Sequence, residues 1–201
     1  VTERIGIIST IHVTLIHPVF AAKAEATVDL ISKGRAGLNL VLGWYPPDMQ
    51  LWGLDVKEHG DRFEVAEEWM EIFDRLWAGR ESFDYDGKNF KLKGAFNQPR
   101  GLQQRPILLN AGRSPRGREF AAKHCDIAFC SAHNPEMGAI KQQVADYRRD
   151  AREKFGKEIQ IWMSAYVVLK DTVKQAQDYA YDYIVTQGDD APVQNIIRNN
   201  A

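Results

Sequence analysis

The chain keeps a steady beat: short, almost unbroken apolar runs alternate with segments whose apolar residues recur every three or four positions. The runs 4–13 ("RIGIISTIHV"), 36–44 ("AGLNLVLGW"), 105–112 ("RPILLNAG"), 126–132 ("DIAFCSA") and 159–169 ("IQIWMSAYVVL") read as strands. Between them, 17–35, 61–79, 114–125, 134–156 and 171–188 read as helices. Strands that are apolar on both faces and separated by helices belong in a parallel sheet covered on both sides. The spacing therefore predicts an α/β fold, either an open doubly wound sheet or a β/α barrel.

Local signals sharpen the elements. In 17–35, Ala21, Ala22, Ala26, Val28, Leu30 and Ile31 supply the apolar positions and Gly34 ends the helix. In 61–79, Phe63, Ala66, Trp69, Met70, Phe73, Leu76 and Trp77 form one stripe, and Asp61 with Glu64 fits a capping box. Residues 45–60 read as a loop, and 81–96 as a hairpin turning at Asp86–Gly87.

The chain has no GxGxxG fingerprint. Gly112 to Gly117 has the glycine spacing of a P-loop, but Arg118–Glu119 follow where Lys–Ser/Thr is required. Polar residues gather at strand ends: Thr10, His12, Asn39, Trp44, Asn110, Ser131 and His133. That is where a barrel carries its chemistry. Ser114 followed by Pro115 suits a helix start, and with Arg113, Arg116 and Arg118 nearby the stretch predicts an anion site.

Bulk properties exclude several classes. A net charge of -1 over 201 residues argues against a nucleic-acid binder. No apolar run approaches the length of a bilayer span. The protein is expected in the cytoplasm. The chain opens on Val1 rather than Met, so an upstream leader stays open. Cys125 and Cys130 are expected to be buried thiols rather than a disulfide. No HExxH or CxxC spacing supports a metal site.

Four stretches in order, "HPVFAAKAEATVDLISKGRAGLNLVLGW", "DRFEVAEEWMEIFDRLW", "FDYDGKNFKLKG" and "NAGRSPRGREFAAKHCDIAF", resemble the luciferase-like flavin monooxygenases. The branch they resemble most is that of the alkanesulfonate, dimethylsulfone and pyrimidine monooxygenases. The likeness runs from about Ile5 to Ala191. It implies a (β/α)8 TIM barrel, of which 1–201 would form one domain truncated at both ends, from about the third strand to the seventh. It also implies reduced FMN and O2 as co-substrates, a separate NAD(P)H-dependent flavin reductase, a small organic substrate and a homo-oligomer.

By the same resemblance, Asn39 matches a flavin-contacting position. Thr10, two residues before His12, should share the side of the strand that His12 takes and contact the flavin. Asp48 sits where relatives often carry Glu. Arg62 and Phe63 match an Arg–aromatic pair at a helix start, with Phe63 lacking the usual hydroxyl. Ser114 and the helix behind it would take the FMN phosphate, and Gly112 would let the backbone approach it. His12 could position substrate, stabilise a flavin peroxide or move a proton, and Trp44 could wall the substrate pocket. His17 is expected to be structural, His59 and His124 surface or packing residues. Two rivals stay open: a deazaflavin-dependent hydride transfer on the same fold, and a non-catalytic flavin-binding remnant.

Overall fold

Strand β1 (Ile7–His12) leads into helix α1 (Pro18–Ser32), whose start is fixed by Pro18 in the first turn and by the His17 Nδ1, which accepts the Val19 N–H at 3.2 Å. The computed structural model describes residues 2–132 and 136–200, and the side chains of 196, 199 and 200 are outside it. Lys33 and Gly34 both turn left-handed at the end of α1, and the Gly34 N–H returns to the Asp29 carbonyl. The buried face of α1 is Ala21, Ala22, Glu25, Ala26 and Asp29, whereas Ile31 is 78% exposed. The apolar face expected from the sequence is thus displaced toward two carboxylates. Asp29 explains its own burial. Its carboxylate accepts the backbone N–H groups of Leu102 and Gln103 and the Gln103 side-chain amide, at 2.6, 3.0 and 2.7 Å.

Next come β2 (Ala36–Val41), α2 (Pro46–Leu51) and α3 (His59–Ala78). The predicted loop 45–60 therefore contains a short helix, anchored by the buried Met49. Helix α3 starts two residues before Asp61. Its N-cap is Glu58 and carries no side-chain cap bond, so the Asp61–Glu64 capping box does not form. The predicted apolar stripe of α3 is buried throughout, with Trp69 stacked on Phe73 and Phe73 on Trp77. Each indole N–H finds a carbonyl, Trp69 to Ile16 at 2.8 Å and Trp77 to Gln103 at 3.0 Å.

Strands β3 (Phe83–Asp86) and β4 (Lys91–Ala95) form an antiparallel hairpin. Its loop runs over 87–90, longer than the two-residue turn expected at Asp86–Gly87, because Glu68 of α3 gathers the N–H groups of Lys88, Asn89 and Phe90. The alternation then resumes with β5 (Ile107–Asn110), α4 (Pro115–His124), β6 (Ile127–Cys130), α5 (Met137–Phe155) and β7 (Gln160–Met163). Strand β7 stops at Met163, well short of the predicted residue 169, because its partner β6 ends at Cys130, opposite Met163.

The sheet order is β1-β2-β5-β6-β7, every pair parallel. This is an arc of a β/α barrel rather than a doubly wound sheet. Leu38, Leu40 and Leu108 point to the helix layer, where they join Trp69, Phe73 and Phe120 in the main core. Alternation then sends Thr10, His12, Asn39 and Leu109 to the opposite, inner face. Cys125 and Cys130 are buried free thiols, as expected, and burial pushes Cys125 up to about 12.

Residues 1–163 form one compact unit and 164–201 a second. The second holds α6 (Val173–Tyr181), a π-helical turn (Asp182–Thr186) and α7 (Asp190–Asn200), where the sequence predicts one helix over 171–188. A full capping box, Thr172 with Gln175, starts α6.

Candidate functional site

Two glycines shape the turn after β5. A Cβ on Gly112 would lie 2.7 Å from Asn110 Oδ1 and 2.8 Å from Gly117 Cα, and a Cβ on Gly117 would lie 2.9 Å from Gly112 Cα. The backbone of the loop therefore rests directly on the first turn of α4. Gly112 is demanded by this internal contact, whatever else approaches it. Asn110, 4% exposed, completes the join: its amide donates to the Leu40 carbonyl at 2.7 Å and its Oδ1 accepts the Gly112 N–H at 2.8 Å. One buried side chain thus ties the carboxyl ends of β2 and β5 to the start of α4.

Ser114 caps α4 as its sequence predicts, with Oγ accepting the Gly117 N–H at 3.0 Å. The same Oγ lies 3.2 Å from His59 Nε2 at the start of α3. Arg62 and Phe63 follow one turn later on the same helix. Arg62 donates to the Gly43 carbonyl at 3.3 Å, while its Nε is buried without a partner among the described residues. Phe63 is buried between His59 and Phe120, at ring distances of 5.0 and 6.0 Å. These groups, with Trp44, Asn110, Gly112 and Arg113, line one cleft of about 270 Å³ at the carboxyl ends of β2 and β5. Trp44 is 56% exposed at its rim.

Of the predicted site residues, Trp44, Arg62, Phe63, Gly112 and Ser114 meet in this cleft. Thr10 and Asn39 are register partners on the inner strand face, joined by Asn39 Nδ2 to Thr10 Oγ1 at 3.2 Å, with His12 two residues further along β1. Asn39 Oδ1 and His12 Nδ1 are buried without partners among the described residues. Asp48 sits in the exposed first turn of α2 and does not line the cleft. His133 lies outside the described residues.

Two expectations change. Among the three arginines flanking Ser114, only Arg113 lines the cleft. Helical phase turns Arg116 and Arg118 to a groove between α4 and α5, where Arg118 lies 5.7 Å from the Tyr147 ring. His59 is no bystander, since it touches Ser114. Its spacing to Arg62 and Phe63, one helical turn, was the available signal. His124 also has a defined role. Its Nε2 and Lys123 Nζ meet Glu67 Oε2 at 2.8 and 2.6 Å, bracing α3 on α4.

This donor set suits an anion. The starts of two helices, a hydroxyl, an imidazole and two guanidinium groups surround the cleft, and among the described residues no carboxylate lines it. The unpartnered Asn39 Oδ1 and His12 Nδ1 suit the polar edge of a ring on the inner face. The residues therefore fit a group that joins an anion, held beside Ser114, to a polar-edged ring, as a flavin mononucleotide does. Among the described residues no group of three or more metal-ligating side chains occurs, and no helix is long and apolar enough to cross a membrane.

Fold and site together define an arc of a β/α barrel with a cleft at the carboxyl ends of its strands whose lining suits an anion. The sequence matches the luciferase-like monooxygenase family over residues 1–200, and the chain belongs to that family. It is 32% identical over 180 residues to the pyrimidine monooxygenase RutA of Pseudomonas syringae pv. syringae (strain B728a), covering 88% of this chain and 49% of that protein. It is 29% identical over 179 residues to the pyrimidine monooxygenase RutA of Acinetobacter baylyi (strain ATCC 33305 / BD413 / ADP1), covering 88% and 48%. Among solved structures it is similar to a riboflavin lyase with modified FMN and riboflavin, with TM-score 0.79, 26% identity and coverage of 89% and 45%. DmoA from Hyphomicrobium sulfonivorans gives TM-score 0.78, 26% identity and coverage of 90% and 44%. The chain spans about half the length of the curated relatives it matches.

Proposed function

We propose that the protein is an FMN-dependent monooxygenase that uses reduced FMN and O2 to oxygenate a small organic molecule of the sulfonate, sulfone or cyclic amide type. Residues 1–201 would belong to one barrel domain, working as a homo-oligomer with an NAD(P)H-dependent flavin reductase as supplier. The observation that carries this reading is the convergence of His59, Arg62, Arg113 and Ser114 on one cleft at the strands' carboxyl ends. A relative solved with modified FMN supports it.

Reduced FMN supplies the electrons that activate O2. The chain's own residues supply position, shielding and proton control. Ser114 donates its hydroxyl to the phosphate, and Arg62 and Arg113 balance its charge. Thr10 and Asn39 orient the ring through the polar atoms they present on the inner face. His12 offers Nδ1 to hold or move a proton beside the reacting atoms. Trp44 and Phe63 cover the cleft with apolar surface and keep water out. Asp48, exposed on α2, has no part in this arrangement.

The test is an anaerobic titration of the intact protein with reduced FMN. Ser114→Ala should weaken binding about 10- to 150-fold, the loss of one charge-assisted hydrogen bond. Unchanged affinity would remove Ser114 from the site. Parallel titration with a deazaflavin separates oxygen insertion from hydride transfer. Turnover with a reductase, NADH and a substrate panel separates a catalyst from a binding remnant.

A further inference from the structure

We propose that His59 is a second ligand of the flavin phosphate, shared with Ser114, and that phosphate capture loads a proton onto this imidazole. The inference rests on the FMN reading above. His59 opens α3 and Ser114 caps α4, so two helix starts meet at one contact, Nε2 to Oγ at 3.2 Å. The Ser114 Oγ already accepts the Gly117 N–H, which leaves the hydroxyl proton to be given away. In the imidazole tautomer that carries its proton on Nδ1, two acceptors compete for this hydroxyl proton: His59 Nε2 and a phosphate oxygen in the cleft. When the hydroxyl of that form turns to the phosphate, Nε2 loses its donor and faces a dianion. An imidazole so placed gains by taking a proton from solvent and donating a charge-assisted bond of its own.

The surroundings make this uptake conditional. Arg62 and Arg113 line the same cleft, and Arg116 lies 5.9 Å from the Phe63 ring on which His59 packs. Glu58 and Asp61 flank His59 on its own helix. An arriving dianion adds a negative charge against the imidazole, and only the phosphate brings it. Proton uptake is thus tied to the phosphate and not to the ring system. His59 thereby selects the phosphorylated flavin over riboflavin, and does so best below the pH at which imidazoles lose their charge.

The experiment titrates the intact protein anaerobically with reduced FMN and, separately, reduced riboflavin, following tryptophan fluorescence from about pH 6.5 to 8.5. The Kd for reduced FMN should rise about tenfold across that range. The Kd for reduced riboflavin should stay flat. His59→Asn and His59→Gln should bind reduced FMN about tenfold more weakly at the acid end and show no slope. A slope in His59→Asn equal to the wild-type slope, or the same slope with riboflavin, would overturn the inference. The riboflavin comparison needs no variant, so misfolding of a substitution does not rescue the idea. If the wild type binds reduced FMN tightly but with a pH-independent Kd, only the role of His59 fails. If it binds reduced FMN at no pH, the FMN reading fails with it.

Discussion

Glu25 is 3% exposed on the buried face of α1, and its Oε1 has no partner among the described residues. Burial, and then the neighbouring Asp29 carboxylate, push it from an ordinary 4.5 up to about 7. The folded protein therefore holds this proton more tightly than the unfolded chain does. Below about pH 4.5 both states are protonated and the group takes nothing from stability. As pH rises toward 7 the unfolded chain ionises first, and stability falls. Above about 7 both states are charged and the loss is constant. At about 1.4 kcal/mol per pH unit, the full loss is about 3 kcal/mol. Glu25→Gln cannot ionise. The variant's stability relative to wild type should thus climb by about 3 kcal/mol between acid and alkaline pH. Urea unfolding at several pH values, followed through the buried Trp69 and Trp77, measures both proteins alike. All other titrating groups cancel in the difference. Parallel stability curves for the two proteins would refute the reasoning.

Glu67 should behave with the opposite sign. Its burial would raise it, but bonds from His124 and Lys123 outweigh that and hold it at about 2, so its contribution is present above about pH 4.5 and lost as pH falls toward 2. Glu67→Gln should cost about 2 kcal/mol at neutral pH and flatten acid unfolding, read by circular dichroism. Asn110→Ala strands the Leu40 carbonyl and the Gly112 N–H, and should lower stability by about 2–4 kcal/mol in chemical denaturation. Gly112→Ala forces Asn110 and Gly117 apart, and should cost about 1–3 kcal/mol while weakening reduced FMN binding.

Periodicity made the sheet and α3 legible, because a sheet covered on both faces needs unbroken apolar strands and α3 needs one wide stripe. The cap at Ser114 was legible because Ser–Pro fits few other positions. Periodicity failed on α1, where Glu25 and Asp29 occupy buried positions. The partners of Asp29 lie in the loop at 102–103, far away in sequence. It failed again at the end of β7, since strand length is set by the neighbour and not by apolar content. In the site, five of the predicted residues share the cleft. The contribution of His59 was hidden because its contact crosses from α3 to α4. Arg116 and Arg118 were misplaced although the helix start was legible, because the groove that takes them is completed by Tyr147 and Asp150 of α5, a neighbour the local sequence does not reveal.

The contact between Gly112 and Gly117 joins main chain to main chain, with no rotatable bond in between. A side-chain contact can adapt by changing rotamer; this one cannot. The end of the cleft beside Ser114 therefore behaves as a rigid jig with close mechanical tolerance. The rim carrying the exposed Trp44 is built instead from a side chain, whose ring lies 5.5 Å from that of Tyr45. Such a division lets mutation at the rim retune which molecules enter while the jig at the other end keeps its dimensions.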